Sequence, residues 1–141
     1  MRISSRARNI SPSATLSVDA LAKSMIKAGH NVIGFGAGEP DFDTPQHIRE
    51  AAVAALDRGY TRYTPAGGTL ELKEAVCARI EEDYQVKYEP DQVIISCGAK
   101  HSLYNLFQVI CDQGDEVILM APYWVSYLEQ IKLAGAVPVV V

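Results

Sequence analysis

Apolar residues recur along this chain with two different spacings, which predict helices and strands in turn. Helical spacing, with apolar side chains three or four positions apart, occurs in five segments: residues 13–29, 45–59, 69–80, 98–111 and 125–135. Continuous apolar runs, which are typical of buried strands, occupy residues 32–35, 93–95, 116–120 and 137–141. Because the two kinds of segment alternate, we predict an α/β fold with a mostly parallel sheet and flanking helices.

Polar and turn-forming residues mark where the predicted elements begin and end. The first twelve residues are polar and rich in Ser and Arg, which predicts an extended arm. Thr44 and Pro45 are expected to supply the N-cap and the first residue of a helix. The last apolar run reaches Val141 with nothing to cover its edge, so we expect a truncated chain that is part of a longer protein.

One segment, Val93–Leu103, combines a predicted strand, a glycine and the start of a predicted helix. The first N–H groups of a helix have no internal partner and lie at the positive end of its dipole, so they can bind phosphate. Gly98 would allow a ligand to approach the backbone closely. The segment matches neither common glycine-rich phosphate motif, and similar turns occur without a ligand. These residues therefore leave two interpretations open, a phosphate site and a plain structural turn.

Composition and charge argue against several classes of function. A net charge of −4 and a pI near 5.3 provide no basic surface for nucleic acid. The three cysteines and three histidines lack the spacing of a metal site or a disulfide framework, so we expect neither. No apolar run approaches the roughly 20 residues that span a bilayer, and the start of the chain lacks the core of a signal peptide. We expect a soluble, cytoplasmic protein without a membrane partner.

Five motifs, in this order, carry a resemblance to a known family. They are AGEPDFDTP at Ala37–Pro45, YTPAG at Tyr63–Gly67, GAK at Gly98–Lys100, GDEV at Gly114–Val117 and PYWVSY at Pro122–Tyr127. Together they resemble the N-terminal part of class I pyridoxal-phosphate-dependent aminotransferases, closest to the bacterial aspartate aminotransferase subgroup. The resemblance implies a fold type I PLP-dependent transferase. Residues 1–42 would form an N-terminal arm and small-domain segment, and residues 43–141 the first, incomplete part of the PLP-binding large domain.

The resemblance also implies a binding site for the cofactor, pyridoxal 5'-phosphate (PLP). Gly98, Ala99 and Lys100 match the turn that binds the cofactor phosphate, and Trp124 matches the aromatic residue that stacks on its pyridine ring. Tyr63 matches a tyrosine whose hydroxyl reaches the phosphate in the neighbouring subunit, which implies a homodimer with shared active sites. The residues by themselves allow plainer roles, a core tryptophan and an exposed tyrosine.

Substrate contacts are implied in the same way. Gly38 matches a loop glycine whose backbone contacts the substrate's α-carboxylate, and Trp124 borders the substrate as well as the cofactor. A lysine at position 100 is associated in this subgroup with the distal carboxylate of an acidic substrate. A purely conformational glycine and a surface or phosphate-steering lysine are the alternatives. Aspartate, another acidic or aromatic amino acid, and prephenate all remain open as substrates.

The function implied is transfer of an amino group between an amino acid and a 2-oxo acid. The lysine that holds the cofactor as a Schiff base, the acid partner of the pyridine nitrogen and the arginine for the substrate carboxylate all lie, in this family, beyond residue 141. We therefore assign no catalytic residue here and expect the 141-residue chain to be inactive by itself. The alternatives are a non-catalytic, aminotransferase-like domain that binds PLP or a partner, and a related lyase on the same fold.

Overall fold

A computed structural model describes residues 2–36 and 38–141 as two compact units. The first comprises the described residues up to Glu39 together with Gly98–Val141, and the second is Pro40–Cys97. The helices are α1 Ser5–Arg8, α2 Ala14–Lys27, α3 Gln46–Asp57, α4 Leu70–Tyr84, α5 Ala99–Ile110 and α6 Val125–Leu133, and Pro90–Gln92 forms a 3-10 turn. The strands are β1 Glu116–Leu119 and β2 Val137–Val140.

A β–α–β arrangement forms the centre of the first unit. Strands β1 and β2 pair in parallel, with Glu116 opposite Val137 and Leu119 opposite Val140, and α6 connects them. The core lies between the strands and α6, where Ile131 is completely buried. Both strands and the connecting helix lie where the apolar pattern predicted them. The parallel pairing confirms the α/β class.

Local capping explains where several helices begin and end. The Ser13 hydroxyl accepts a hydrogen bond from the Leu16 amide at 3.3 Å, and the Thr69 hydroxyl accepts one from the Leu72 amide at 3.4 Å. Helix α3 corrects one expectation by a single residue. Its N-cap is Pro45 rather than Thr44, so that the helix begins at Gln46 without a side-chain cap among the described residues.

Two predicted strands are absent from the described residues. The segments 32–35 and 93–95 belong to no ladder, although the backbone at Val93 is extended. Their apolar patterns favour a strand, but a strand forms only where a second chain segment pairs with it. A further difference is that the arm expected to be extended contains α1, one helical turn capped by the Ser4 hydroxyl.

The apolar faces of α3 and α4 are less buried than their spacing predicts. Leu72 is 47% exposed and Ala75 is also exposed, and Cys77 is the residue of α4 that is buried. On α3, Ile48 and Leu56 are 50% and 60% exposed. An amphipathic pattern establishes which side of a helix is apolar, but burial requires another element to pack there. No helix in the described residues is both long and apolar enough to cross a bilayer.

Candidate functional site

The turn at Gly98 leaves the start of α5 open. Gly98 is the N-cap, with φ +83° and ψ 166°, and a Cβ atom built on it would meet nothing within 4 Å. Its carbonyl oxygen accepts hydrogen bonds from the amides of His101 at 3.1 Å and Ser102 at 3.2 Å. No side chain among the described residues caps this N-terminus, and Ala99 is the first helical residue. The turn is therefore internally braced, with space at the positive end of the helix for an anion.

Lys100 and Trp124, which the sequence analysis assigned to one site, lie together in the structure. The Lys100 ammonium is 5.8 Å from the centre of the Trp124 ring, within cation–π range. Trp124 is 53% exposed and is the N-cap of α6, just beyond the carboxyl end of β1. Ligands of α/β proteins bind at such strand ends. The exposed indole, the ammonium group and the helix start suit a planar ligand that carries a negative charge.

Gln130 is a contact of this site that sequence analysis missed. Its Nε2 donates a hydrogen bond of 2.7 Å to the carbonyl oxygen of Lys100, and the residue is only 6% exposed. This bond ties α6 to the first turn of α5. In the helical segment 125–135 the apolar spacing falls on Leu128 and Ile131, whereas a glutamine between them is typical of the protein surface. The burial of Gln130 follows from how the two helices pack.

The structure does not join the two remaining predicted residues to this group. Gly38 belongs to the same unit and is exposed, but no hydrogen bond links it to Gly98, Lys100 or Trp124 among the described residues. Tyr63 belongs to the other unit, and its side chain is fully exposed there. The roles assigned to Gly38 and Tyr63 stay predictions.

Charged groups outside this site form ordinary surface pairs. Lys23 donates to Asp19 at 2.7 Å on α2, and this hydrogen bond, assisted by the carboxylate's charge, raises the pKa of Lys23. The described residues contain no group of three or more His, Cys, Asp or Glu side chains that could hold a metal ion. Neither feature adds a reactive group to the turn at Gly98.

Comparison with known proteins gives the site a family context. A family model described as aminotransferase class I and II matches residues 30–141. An aspartate aminotransferase of Geobacillus stearothermophilus is 55% identical over 141 residues, which are 100% of this chain and 36% of that protein. An aspartate/prephenate aminotransferase of Nitrosomonas europaea is 45% identical over 139 residues, 99% of this chain and 35% of that protein.

A solved structure shows the same architecture. The aspartate aminotransferase of Thermus thermophilus with maleate matches with a TM-score of 0.93 at 45% identity, over 99% of this chain and 37% of its own. This chain therefore belongs to the class I and II aminotransferases, a family of PLP-dependent enzymes that act on amino acids and 2-oxo acids. The resemblance carried by the five sequence motifs is confirmed. The chain spans about 36% of the length of these relatives.

Proposed function

We propose that the protein containing this chain is an aminotransferase that transfers an amino group between an acidic amino acid and a 2-oxo acid. The observation that carries the proposal is the open start of α5 at Gly98, with the Lys100 ammonium 5.8 Å from the exposed Trp124 ring. Backbone amides, a cation and an aromatic face are the groups that a phosphorylated pyridine requires. Family membership supports this assignment.

The described residues fit PLP in shape and charge. A Cβ atom would meet nothing within 4 Å of Gly98, so a phosphate group can approach the backbone amides of Ala99 and Lys100. The exposed face of Trp124 offers a surface on which the pyridine ring stacks. When bound, the cofactor supplies the electron sink for the reaction, and the residues of this chain bind and orient it.

Lys100 is proposed to select acidic substrates. Its ammonium group is exposed beside Trp124 and can pair with the distal carboxylate of aspartate. The name of the Geobacillus relative includes aspartate, and the Thermus structure was solved with maleate, a dicarboxylate. The Nitrosomonas relative is named for aspartate and prephenate, so prephenate is the second substrate to test. The backbone at Gly38 is proposed to bind the α-carboxylate that all these substrates share.

The proposed active unit is a cytoplasmic homodimer. The exposed Tyr63 hydroxyl is available to a second copy of the chain, where it would donate a hydrogen bond to the cofactor phosphate. Within each copy, we propose that residues 1–42 contribute to a small domain and residues 43–141 open the cofactor-binding domain. The remaining catalytic groups would come from the rest of the protein. This agrees with the length of the Geobacillus relative, of which this chain spans 36%.

The first experiment is to measure the intact mass and cofactor content of the native gene product. We expect a mass about three times the 15.4 kDa of this chain, a visible absorption band from bound PLP, and turnover of aspartate with 2-oxoglutarate. Prephenate and an aromatic amino acid are assayed in parallel. A full-length product that binds PLP without turning over any amino donor would favour a non-catalytic domain, and one that does not bind PLP would overturn the proposal.

A further inference from the structure

Gln130 is an unusual core residue because it is polar and buried, and only one of its two side-chain polar atoms has a hydrogen-bond partner in the described part of the chain. It lies on α6 and is 6% exposed, next to the fully buried Ile131. Its Nε2 donates to the Lys100 carbonyl oxygen at 2.7 Å. A carbonyl oxygen can only accept a hydrogen bond, so Nε2 of Gln130, and not Oε1, must face Lys100. This requirement defines the orientation of the Gln130 side-chain amide.

The oxygen of the same side-chain amide has no such bond within the described residues. Gln130 Oε1 is buried and has no hydrogen-bond partner among residues 2–36 and 38–141. A buried acceptor without a partner costs free energy, whereas an apolar side chain of the same size would avoid that cost. The Lys100 carbonyl also lies inside α5, where the helix supplies it with an amide donor four residues on. The Gln130 bond is therefore a second hydrogen bond to the Lys100 carbonyl, and it restrains where that carbonyl lies.

The position that it fixes is the first turn of α5. The Lys100 carbonyl and the His101 N–H belong to one rigid peptide plane, and that N–H donates to Gly98 at 3.1 Å. On the same residue, the Lys100 ammonium lies 5.8 Å from the Trp124 ring, at the start of α6. Helix α6 and its N-cap thus contact Lys100 twice. Gln130 binds the backbone carbonyl of Lys100, and Trp124 lies beside the Lys100 side chain.

We propose that Gln130 is a positioning residue that holds the phosphate-binding turn of α5 in register with the ring-stacking Trp124 on α6. This inference rests on the proposed function, because it assumes that the turn and the ring bind two parts of the same cofactor. Gln130 does not touch the cofactor. It acts through the Lys100 carbonyl, and its effect is on the affinity and environment of the phosphate group.

The test uses the full-length protein in its cofactor-free form. Gln130→Met keeps the length of the side chain and removes both its donor and its unpaired acceptor. We expect the Kd for PLP, measured by absorbance titration, to rise about three- to tenfold. This is the change in affinity that the loss of one typical hydrogen bond produces. We also expect a shifted phosphorus NMR signal for the bound cofactor. The free energy of unfolding of the cofactor-free protein should stay the same or increase.

Two further variants make the result specific. Gln108→Met changes an exposed glutamine of α5 and should alter neither the Kd nor the unfolding free energy. Gln130→Leu also removes the donor to the Lys100 carbonyl and adds no charge, so it should weaken PLP binding as well. It serves as the second test if Gln130→Met does not fold.

The possible outcomes separate this inference from the proposed function. If the unaltered full-length protein does not bind PLP, the proposed function fails. If it binds PLP and Gln130→Met binds equally well with the same phosphorus signal, Gln130 has no positioning role. A weaker Kd accompanied by an equal loss of folding stability would also overturn the inference, because it would show a merely structural role.

Discussion

Gly98 shows how a single residue opens the candidate site. At φ +83° and ψ 166°, its backbone adopts a conformation that is strained for any residue with a Cβ atom. The space around it is nevertheless empty out to 4 Å. A larger residue at position 98 would therefore lower the free energy of unfolding through its strained backbone conformation and not through a steric clash. The glycine is needed for its conformation, and the empty space is available to a ligand.

Gly98→Ala should therefore destabilise the full-length protein by about 1–3 kcal/mol, the usual cost of a strained non-glycine conformation. PLP affinity should fall as well, because relief of the strain moves the first amides of α5. The measurements are the free energy of unfolding and the Kd for PLP. Gly34→Ala is the matched control, since the new methyl group would meet only Ala22 Cβ at 3.8 Å, an ordinary contact. Equal stability of the two variants would contradict the assignment of strain to Gly98.

In the proposed function, the Lys100 ammonium selects acidic substrates. Lys100→Met should raise the KM for aspartate about tenfold or more, because a hydrogen bond to a charged group is lost, while the KM for an aromatic amino donor changes little. Lys27→Met, which removes an exposed lysine from α2, should leave both KM values unchanged. A uniform rise of KM for both donors would show that Lys100 acts on the cofactor instead of selecting the substrate.

At the scale of elements, the turn before α4 is held against an extended segment of the same unit. The Ile95 amide donates to the Gly67 carbonyl at 2.9 Å. A Cβ atom on Gly68 would lie 2.5 Å from Ile95 Cγ1, and Gly68 has φ +100°. Close packing against the Ile95 side chain and a positive φ both require glycine at this position. The segment 93–95 thus has one defined contact even though it belongs to no ladder among the described residues.

Gly68→Ala should destabilise the full-length protein by about 2–4 kcal/mol, since overpacking and backbone strain act together. Its neighbour supplies the control. A Cβ atom on Gly67 would meet the Lys73 ammonium at 3.1 Å, and that flexible side chain can move away. Gly67→Ala should therefore change the free energy of unfolding by less than about 1 kcal/mol. Denaturant unfolding of both variants measures the difference, and similar losses would show that the contact with Ile95 is unimportant.

At the scale of the whole molecule, the chain exposes much of its apolar surface. Large apolar side chains that are more than half exposed include Val109 at 83%, Ile118 at 70% and Met120 at 74%. The buried hydrophobic residues are Cys77, Leu119, Ile131 and Ala136 among those described. Exposed apolar surface on this scale favours association with other chains. The chain spans about 36% of the length of the relatives it matches.

We predict that the 141-residue chain, expressed by itself, self-associates and shows no aspartate turnover. Sedimentation velocity should reveal oligomers, and a dye that binds exposed apolar surface should fluoresce strongly. Ile118→Lys, which places a charge on the exposed face of strand β1, should reduce the association. A monomeric chain without dye binding would contradict the prediction, as would any turnover by the chain alone.

Much of the local structure was predictable because its causes are local. Helices α2 and α4 begin within one residue of the helical segments predicted at 13–29 and 69–80, where the Ser13 and Thr69 hydroxyls cap them. Strands β1 and β2 are confirmed where apolar runs lie on either side of a helical segment. The segments 32–35 and 93–95 carry equally apolar patterns and form no ladder in the described chain, because strand pairing depends on a distant segment. The fold class was thus predictable, whereas the membership of the sheet was not.

The helical segments, the parallel β–α–β unit and the family could be predicted from the sequence, since motifs, caps and apolar periodicity are properties of neighbouring residues. The placement of the Lys100 ammonium 5.8 Å from the Trp124 ring and the burial of Gln130 against the Lys100 carbonyl required the folded structure. Both contacts depend on how α5 and α6 pack, and packing joins residues that lie 24 and 30 positions apart in the chain. No local pattern encodes such a distance.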